Sequence, residues 1–157
     1  MEKFNMKNWV ALLGLIFLML FSFQIQAQSS EEEVKAVIEQ LFDGMRAKDG
    51  QQVGAVFLEN APMQTVIAGE NGSKVDSNSV ADFVARISQT PEDVQLDERI
   101  LDYQIQVDGD MAAAWTPYEF YVNGNFSHCG VNSFQLVRTE EGWKIVYIID
   151  TRRKEGC

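Results

Sequence analysis

Ile100 to Asp150 reads ILDYQIQVDGDMAAAWTPYEFYVNGNFSHCGVNSFQLVRTEEGWKIVYIID, and its punctuation decides the fold. Asp108-Gly109-Asp110, Asn123-Gly124-Asn125 and Thr139-Glu140-Glu141-Gly142 are short polar turns. They separate four strand-like runs: Ile100 to Val107, alternating through Leu101, Tyr103, Ile105 and Val107; Met111 to Val122; His128 to Arg138; and Trp143 to Asp150. Parallel strands need crossovers of a dozen residues or more, so strands joined this closely form an antiparallel meander. Pro117 lacks an N–H and implies a bulge or an edge within the second run, and a bulge there would let the sheet curl.

Upstream, the periodicity changes from two to 3.6. Val34, Val37, Ile38, Leu41, Phe42 and Met45 form one face of a helix. Ser30-Glu31-Glu32-Glu33 has the pattern of a capping box at its start, and Ala47-Lys48-Asp49-Gly50 closes it with Gly50 placed for a left-handed cap. A shorter helix carries Val53, Val56 and Phe57 and stops at Asn60-Ala61-Pro62. Met63 to Ala68 is strand-like and turns back at Glu70-Asn71-Gly72-Ser73. Ser77-Asn78-Ser79 opens a third helix with Val80, Phe83, Val84 and Ile87 on its apolar face. The expected fold class is α+β: three N-terminal helices covering a cone-shaped, curved antiparallel sheet made of a four-stranded meander plus a short hairpin.

This order resembles the nuclear transport factor 2-like superfamily, also called SnoaL-like. The resemblance rests on the opening helix with its Ala47-Lys48-Asp49 end, the short second helix, the stretch Phe134-Gln135-Leu136-Val137 and the closing Gly142-Trp143-Lys144-Ile145 strand, and it covers residues 31 to 152. It implies a cone that often holds a pocket, used for catalysis in some members and for binding or dimerisation in others, so the fold alone leaves function open.

The first 27 residues carry an address. Lys3 and Lys7 precede an apolar stretch from Trp9 to Phe23, and Gln24-Ile25-Gln26-Ala27 places small Ala27 at a signal-peptidase cut. The expectation is a signal peptide over 1–27 and an exported (periplasmic or secreted) domain over 28–157; the alternative, a retained anchor, has an apolar stretch short of the roughly 20 residues that span a bilayer. In an oxidising compartment Cys129 and Cys157 can pair, closing roughly 27 residues for roughly 3 kcal/mol; otherwise Cys157, the last residue, is a free or intermolecular thiol. The 23 Asp+Glu against 13 Lys+Arg give a net charge of −10, which repels phosphate backbones and anionic lipid. No nucleic-acid partner is expected, and no membrane partner after signal cleavage. One His and two Cys make no zinc spacing, and no phosphate loop or nucleophile elbow occurs, so neither metal nor cofactor is expected.

Two residues are candidates for acid–base chemistry. His128, the single histidine, titrates near neutral pH; it is otherwise a hydrogen-bonded strand-end residue. Asp150 ends the apolar run Ile145 to Ile149, where burial would raise its pKa, or it pairs with Arg152 and ends the strand. Trp115, Tyr118, Tyr103, Tyr121 and Tyr147 are polar-tipped rings suited to an apolar or aromatic ligand, and equally to sheet packing. Trp115 and Tyr118, three apart, face opposite ways in a regular strand unless Pro117 marks a bulge between them. Three functions follow: an exported small-molecule-binding protein with an aromatic-lined pocket; a cofactor-free isomerase, dehydratase or cyclase using His128 or Asp150; or a homodimeric interaction module. An enzyme needs a titratable group inside the cavity; the module needs a filled cavity and an exposed apolar sheet face.

Overall fold

The computed structural model describes residues 29–69 and 72–157. The expected signal peptide, 1–27, and the Glu70-Asn71 half of the expected hairpin turn lie outside them.

Helix α1 spans 29–47 and buries Val34, Ile38, Leu41, Phe42 and Met45. The helix already includes residues 29 and 30, so Ser30 does not stand at its start as the capping-box pattern implied. Ser30 and Glu33 instead serve the tertiary structure. Arg138 donates to Ser30 Oγ and to Glu33 Oε2, both at 2.9 Å, and Trp143 Nε1 donates to the same carboxylate at 3.1 Å. The left-handed residue after α1 is Lys48 (φ 58°), not Gly50. Gly50 is needed for another reason: it opens α2 (Gly50–Ala55), and a Cβ there would collide with Ser88 Oγ and lie 3.0 Å from the Val84 carbonyl oxygen. Asp49 caps α2 by accepting from the Gln52 N–H. Phe57 falls beyond the helix and bridges to Ile145.

Strands β1 (Pro62–Ile67) and β2 (Lys74–Ser79) form the expected hairpin, and Ser79 caps α3 (Val80–Ser88) by accepting from the Asp82 N–H. Ser77 and Asn78 belong to β2. The expected strand over 100–107 is two strands, β3 (Leu96–Ile100) and β4 (Gln104–Asp108). Both pair with the long β5 (Met111–Val122) and part company opposite Pro117, whose carbonyl accepts from the Leu101 N–H. Proline offers no N–H on that side, so the neighbouring strand breaks there. The register slip with β6 (Asn125–Thr139) falls instead between Phe120 and Tyr121. Strand β7 (Gly142–Thr151) follows.

The seven strands make one curved, unclosed sheet in the order β2-β1-β7-β6-β5-β3, with β4 beside β5. Sheet order adds a pairing absent from the expected meander: β1 lies parallel to β7, which joins the hairpin to the meander and makes the sheet mixed. Register then lines residues up across the inner face. Met63, Ile148, Phe134, Ala114 and Ile105 form one apolar row against the helices; Ile145, Leu136, Ala112 and Val107 form another beside it. Phe134 and Leu136 are fully buried, and Phe42 of α1 meets Phe134 edge-on at 6.4 Å. Each such side chain contributes about 1.5–3 kcal/mol of burial. Beyond the end of β7, Cys129 and Cys157 are joined in a disulfide, Cα atoms 5.8 Å apart, which ties the C-terminus across β6. Among the described residues no helix is long and apolar enough to cross a membrane.

Candidate functional site

Two residues along from the first apolar row, the same face carries a polar one: Thr65, Asp150, Asn132 and Thr116 on β1, β7, β6 and β5. Strand alternation guarantees that these side chains point inward as Phe134 and Ile148 do. Here the helices do not close over the sheet, and a cavity of about 220 Å³ remains. Leu41, Phe42 and Met45 of α1, Phe83 and Ile87 of α3, and Leu96 and Phe120 of β3 and β5 give it an apolar wall. Glu98, Asn132, Asp150, Tyr118, His128 and Arg152 give it a polar one.

Asp150 is buried, and its Oδ2 accepts from Arg152 Nε at 2.7 Å and from Tyr118 Oη at 3.3 Å. Tyr118 Oη also lies 3.0 Å from the Thr151 carbonyl oxygen, its acceptor. Burial, then the charges of Glu98 and Asp150, push the Tyr118 hydroxyl far above the usual phenol range, so it stays protonated. Glu98 stands with Leu96 and Ile100 on the inward side of β3, and its Oε1 accepts from Asn132 Nδ2 at 2.8 Å. Burial raises the Glu98 pKa from 4.5 to about 7, with the charge of Asp150 adding to the rise and the Asn132 hydrogen bond opposing it. His128 lies in ring contact with Phe120 (5.2 Å) and Tyr118 (5.8 Å), and its Nδ1 is 3.1 Å from Ser127 Oγ. Burial, followed by the Arg152 charge, lowers its pKa, so it is neutral at pH 7. Thr116 Oγ1 is fully buried and has no hydrogen-bond partner among the described residues.

The structure thus brings His128, Asp150 and Tyr118 to one cavity. Trp115, Tyr103, Tyr121 and Tyr147 are not on its wall. Trp115 obeys regular strand parity and faces outward, 49% exposed, as does Met111 on the same strand. Tyr121 donates to Glu119 beneath the Arg99 guanidinium, Tyr147 bonds Gln64, and Tyr103 lies under Lys35 with burial pushing its hydroxyl up to about 12. Glu98 and Asn132 escaped the sequence reading. The available signal was period two: Glu98 sits between Leu96 and Ile100, and Asn132 precedes Phe134 and Leu136, each a polar residue on an apolar face. Among the described residues no cluster of His, Cys, Asp and Glu could hold a metal ion.

A family model described as "Putative lumazine-binding" matches residues 29–148, and the chain belongs to that family. Its fold is that of the nuclear transport factor 2-like proteins. Similar solved structures include an NTF2-like protein with a cystatin-like fold from Novosphingobium aromaticivorans (TM-score 0.65, 17% identity, covering 99% of this chain and 94% of that one). Another is a nuclear transport factor 2-like superfamily protein from Salmonella enterica serovar Typhimurium (0.63, 14%, 83% and 95%). A third is a "putative dehydratase from the NTF2-like family" of Streptomyces avermitilis (0.63, 15%, 80% and 97%). At these identities the likeness is one of fold. No curated protein matches the chain.

Proposed function

We propose that this is an exported small-molecule-binding protein whose ligand occupies the cavity between α1, α3 and the polar row. The observation that carries the reading is the composition of that cavity: an apolar wall with a few hydrogen-bonding groups converging on one side, the usual make-up of a ligand site. Its volume is below the roughly 300–1,000 Å³ of drug-sized sites, which favours a ligand of one or two rings. The family description points the same way, toward a small heterocycle. Export rests on the signal-peptide pattern of residues 1–27 and is checked by fractionating cells that express the full chain.

The test of binding is mass spectrometry of the small molecules released when the purified protein is denatured. Wild type is expected to release one species in near-stoichiometric amount, and Met63→Trp, which fills the cavity, to release none. An empty wild type that lumazine does not stabilise against heat would overturn the reading.

One observation favours a second reading, a cofactor-free isomerase, dehydratase or cyclase. A carboxyl held near pKa 7, as Glu98 is, can give and take a proton at physiological pH, with His128 or Asp150 as its counterpart across the cavity. Such an enzyme exchanges a carbon-bound hydrogen of its ligand with deuterium from D2O, and Glu98→Gln abolishes the exchange. A binder leaves the ligand unlabelled.

A further inference from the structure

The charges around the cavity say what kind of molecule it accepts. Two guanidinium groups line it, Arg152 beyond β7 and Arg86 on α3. In a chain of net charge −10, acidic partners are plentiful, and Arg46, Arg99, Arg138 and Arg152 each have a carboxylate within 4.0 Å. Arg86 has none among the described residues. Its Nη1 donates to the Asn78 side-chain oxygen at 3.2 Å, and its guanidinium lies over the Phe83 ring. Asp82, one turn earlier on α3, accepts from the Ser79 hydroxyl at 2.7 Å instead. An exposed arginine on the wall of an apolar cavity, without a carboxylate, favours an anion.

Opposite charges inside the cavity are Asp150, already paired with Arg152, and Glu98. The groups that face Glu98 come from several elements: Asn132 and His128 on β6, Tyr118 on β5, Asp150 on β7 and Arg152 after it. Arg46 of α1 donates to the Glu98 backbone carbonyl, pairs with Asp43 and Asp97, and by its charge opposes the rise of the Glu98 pKa. With Glu98 protonated, the cavity charges (Arg86, Arg152 and Asp150) sum to one positive charge; with Glu98 ionised they sum to zero.

We propose that the cavity takes a small amphipathic monoanion, its ring or chain against the apolar wall and its charged group toward Arg86 and Arg152, and that in alkaline solution, where Glu98 is ionised in the empty protein, binding takes up one proton on it. The inference rests on the binding reading above and gives that ligand its chemical class. Bringing in an anion makes a second buried negative charge costlier, so the proton on Glu98 is held more tightly when the site is filled. The burial that lifts Glu98 to about 7 in the empty protein places the coupling in the neutral range.

The experiment is calorimetric titration of protein purified from cells expressing the full chain with benzoate and 2-naphthoate, and with benzamide and 2-naphthamide as uncharged counterparts. At pH 6 the carboxylates are expected to bind at least about tenfold tighter than the amides. Their affinity falls up to about tenfold per pH unit above 7, and buffers of different ionisation enthalpy report about one proton taken up at pH 8 and almost none at pH 6. Arg86→Gln, an exposed position that leaves the core intact, narrows the acid-over-amide preference about fivefold. Glu98→Gln removes the pH dependence above 7 and retains carboxylate binding at pH 8. Equal binding of acids and amides overturns the inference while leaving the cavity a binding site, and so does a pH dependence that survives in Glu98→Gln. Binding of none of the four probes overturns the inference together with the reading beneath it.

Discussion

Two rows of residues cross the inner face of the same sheet, one step apart. The row through Met63, Ile148, Phe134 and Ala114 is apolar and is packed shut at Phe134 and Ala114; the row through Thr65, Asp150, Asn132 and Thr116 is polar and lines the cavity at its first three positions. Backbone, curvature and strand order are shared, so the difference lies in the side chains. Where both layers are apolar, packing runs to full burial. Where the buried Asp150 carboxyl and Asn132 amide keep hydrogen-bond partners, the layers stay apart and a cavity remains. One face of one sheet thus holds both the stability of the protein and its candidate site.

The sharpest way to break that comparison is to truncate one aromatic in each row's neighbourhood. Phe134→Ala leaves a void in close-packed surroundings and is expected to cost about 3–5 kcal/mol in urea unfolding, whereas Phe120→Ala, whose ring already borders the cavity, costs distinctly less. Equal losses would show that the open row is packed as tightly as the closed one. Next comes the disulfide, which holds the chain after Asp150 and Arg152 against β6. Cys157→Ser is expected to lower stability by roughly 3 kcal/mol under oxidising conditions and by nothing in the presence of reductant.

The polar row and its neighbour Glu98 also predict a pH dependence that the apolar rows cannot produce. Folding raises the Glu98 pKa from 4.5 to about 7, so the folded chain binds this proton more tightly than the unfolded one. That contribution is fully present below 4.5 and is lost as pH rises through 7. Glu98→Gln is expected to remove this decline and to exceed wild type at pH 8 by on the order of 2–3 kcal/mol in denaturant titrations; a variant that tracks wild type at both pH 5 and pH 8 contradicts it. The smallest effect is at Thr116, whose hydroxyl is buried without a partner among the described residues. Thr116→Val keeps the shape and is expected to be neutral or to raise the melting temperature slightly, a gain of about 1 kcal/mol at most.

Much of the framework was legible because it depends on neighbours in sequence. The face of α1, the start of the third helix near Ser79 and the three polar turns of the meander all follow from local periodicity and turn chemistry. The errors were equally local in origin. Gly50 resembled a left-handed cap because glycine is also what a close helix contact requires, and sequence does not separate the two causes. Pro117 was expected to mark a bulge or an edge in its own strand; the bulge falls at Phe120/Tyr121 instead, and at Pro117 it is the neighbouring strand that breaks, since a missing donor acts on whichever strand lies beside it. Of the five aromatic side chains read as ligand groups, only Tyr118 reaches the cavity, because attraction of rings to strands says nothing of which face of the sheet is covered.

By itself, then, the amino-acid sequence determined most of the elements, their order and the class of fold, since these are set by periods of two and 3.6 and by turns a few residues long; it did not determine the split of the strand over 100–107 into two. Tertiary structure alone decided that β1 would lie parallel to β7 and that Glu98, Asn132, Asp150 and Arg152 would meet around one cavity. Those residues are brought together by strand register and by the burial of groups distant in the chain, and burial is also what turns an ordinary glutamate at position 98 into one that titrates near neutral pH.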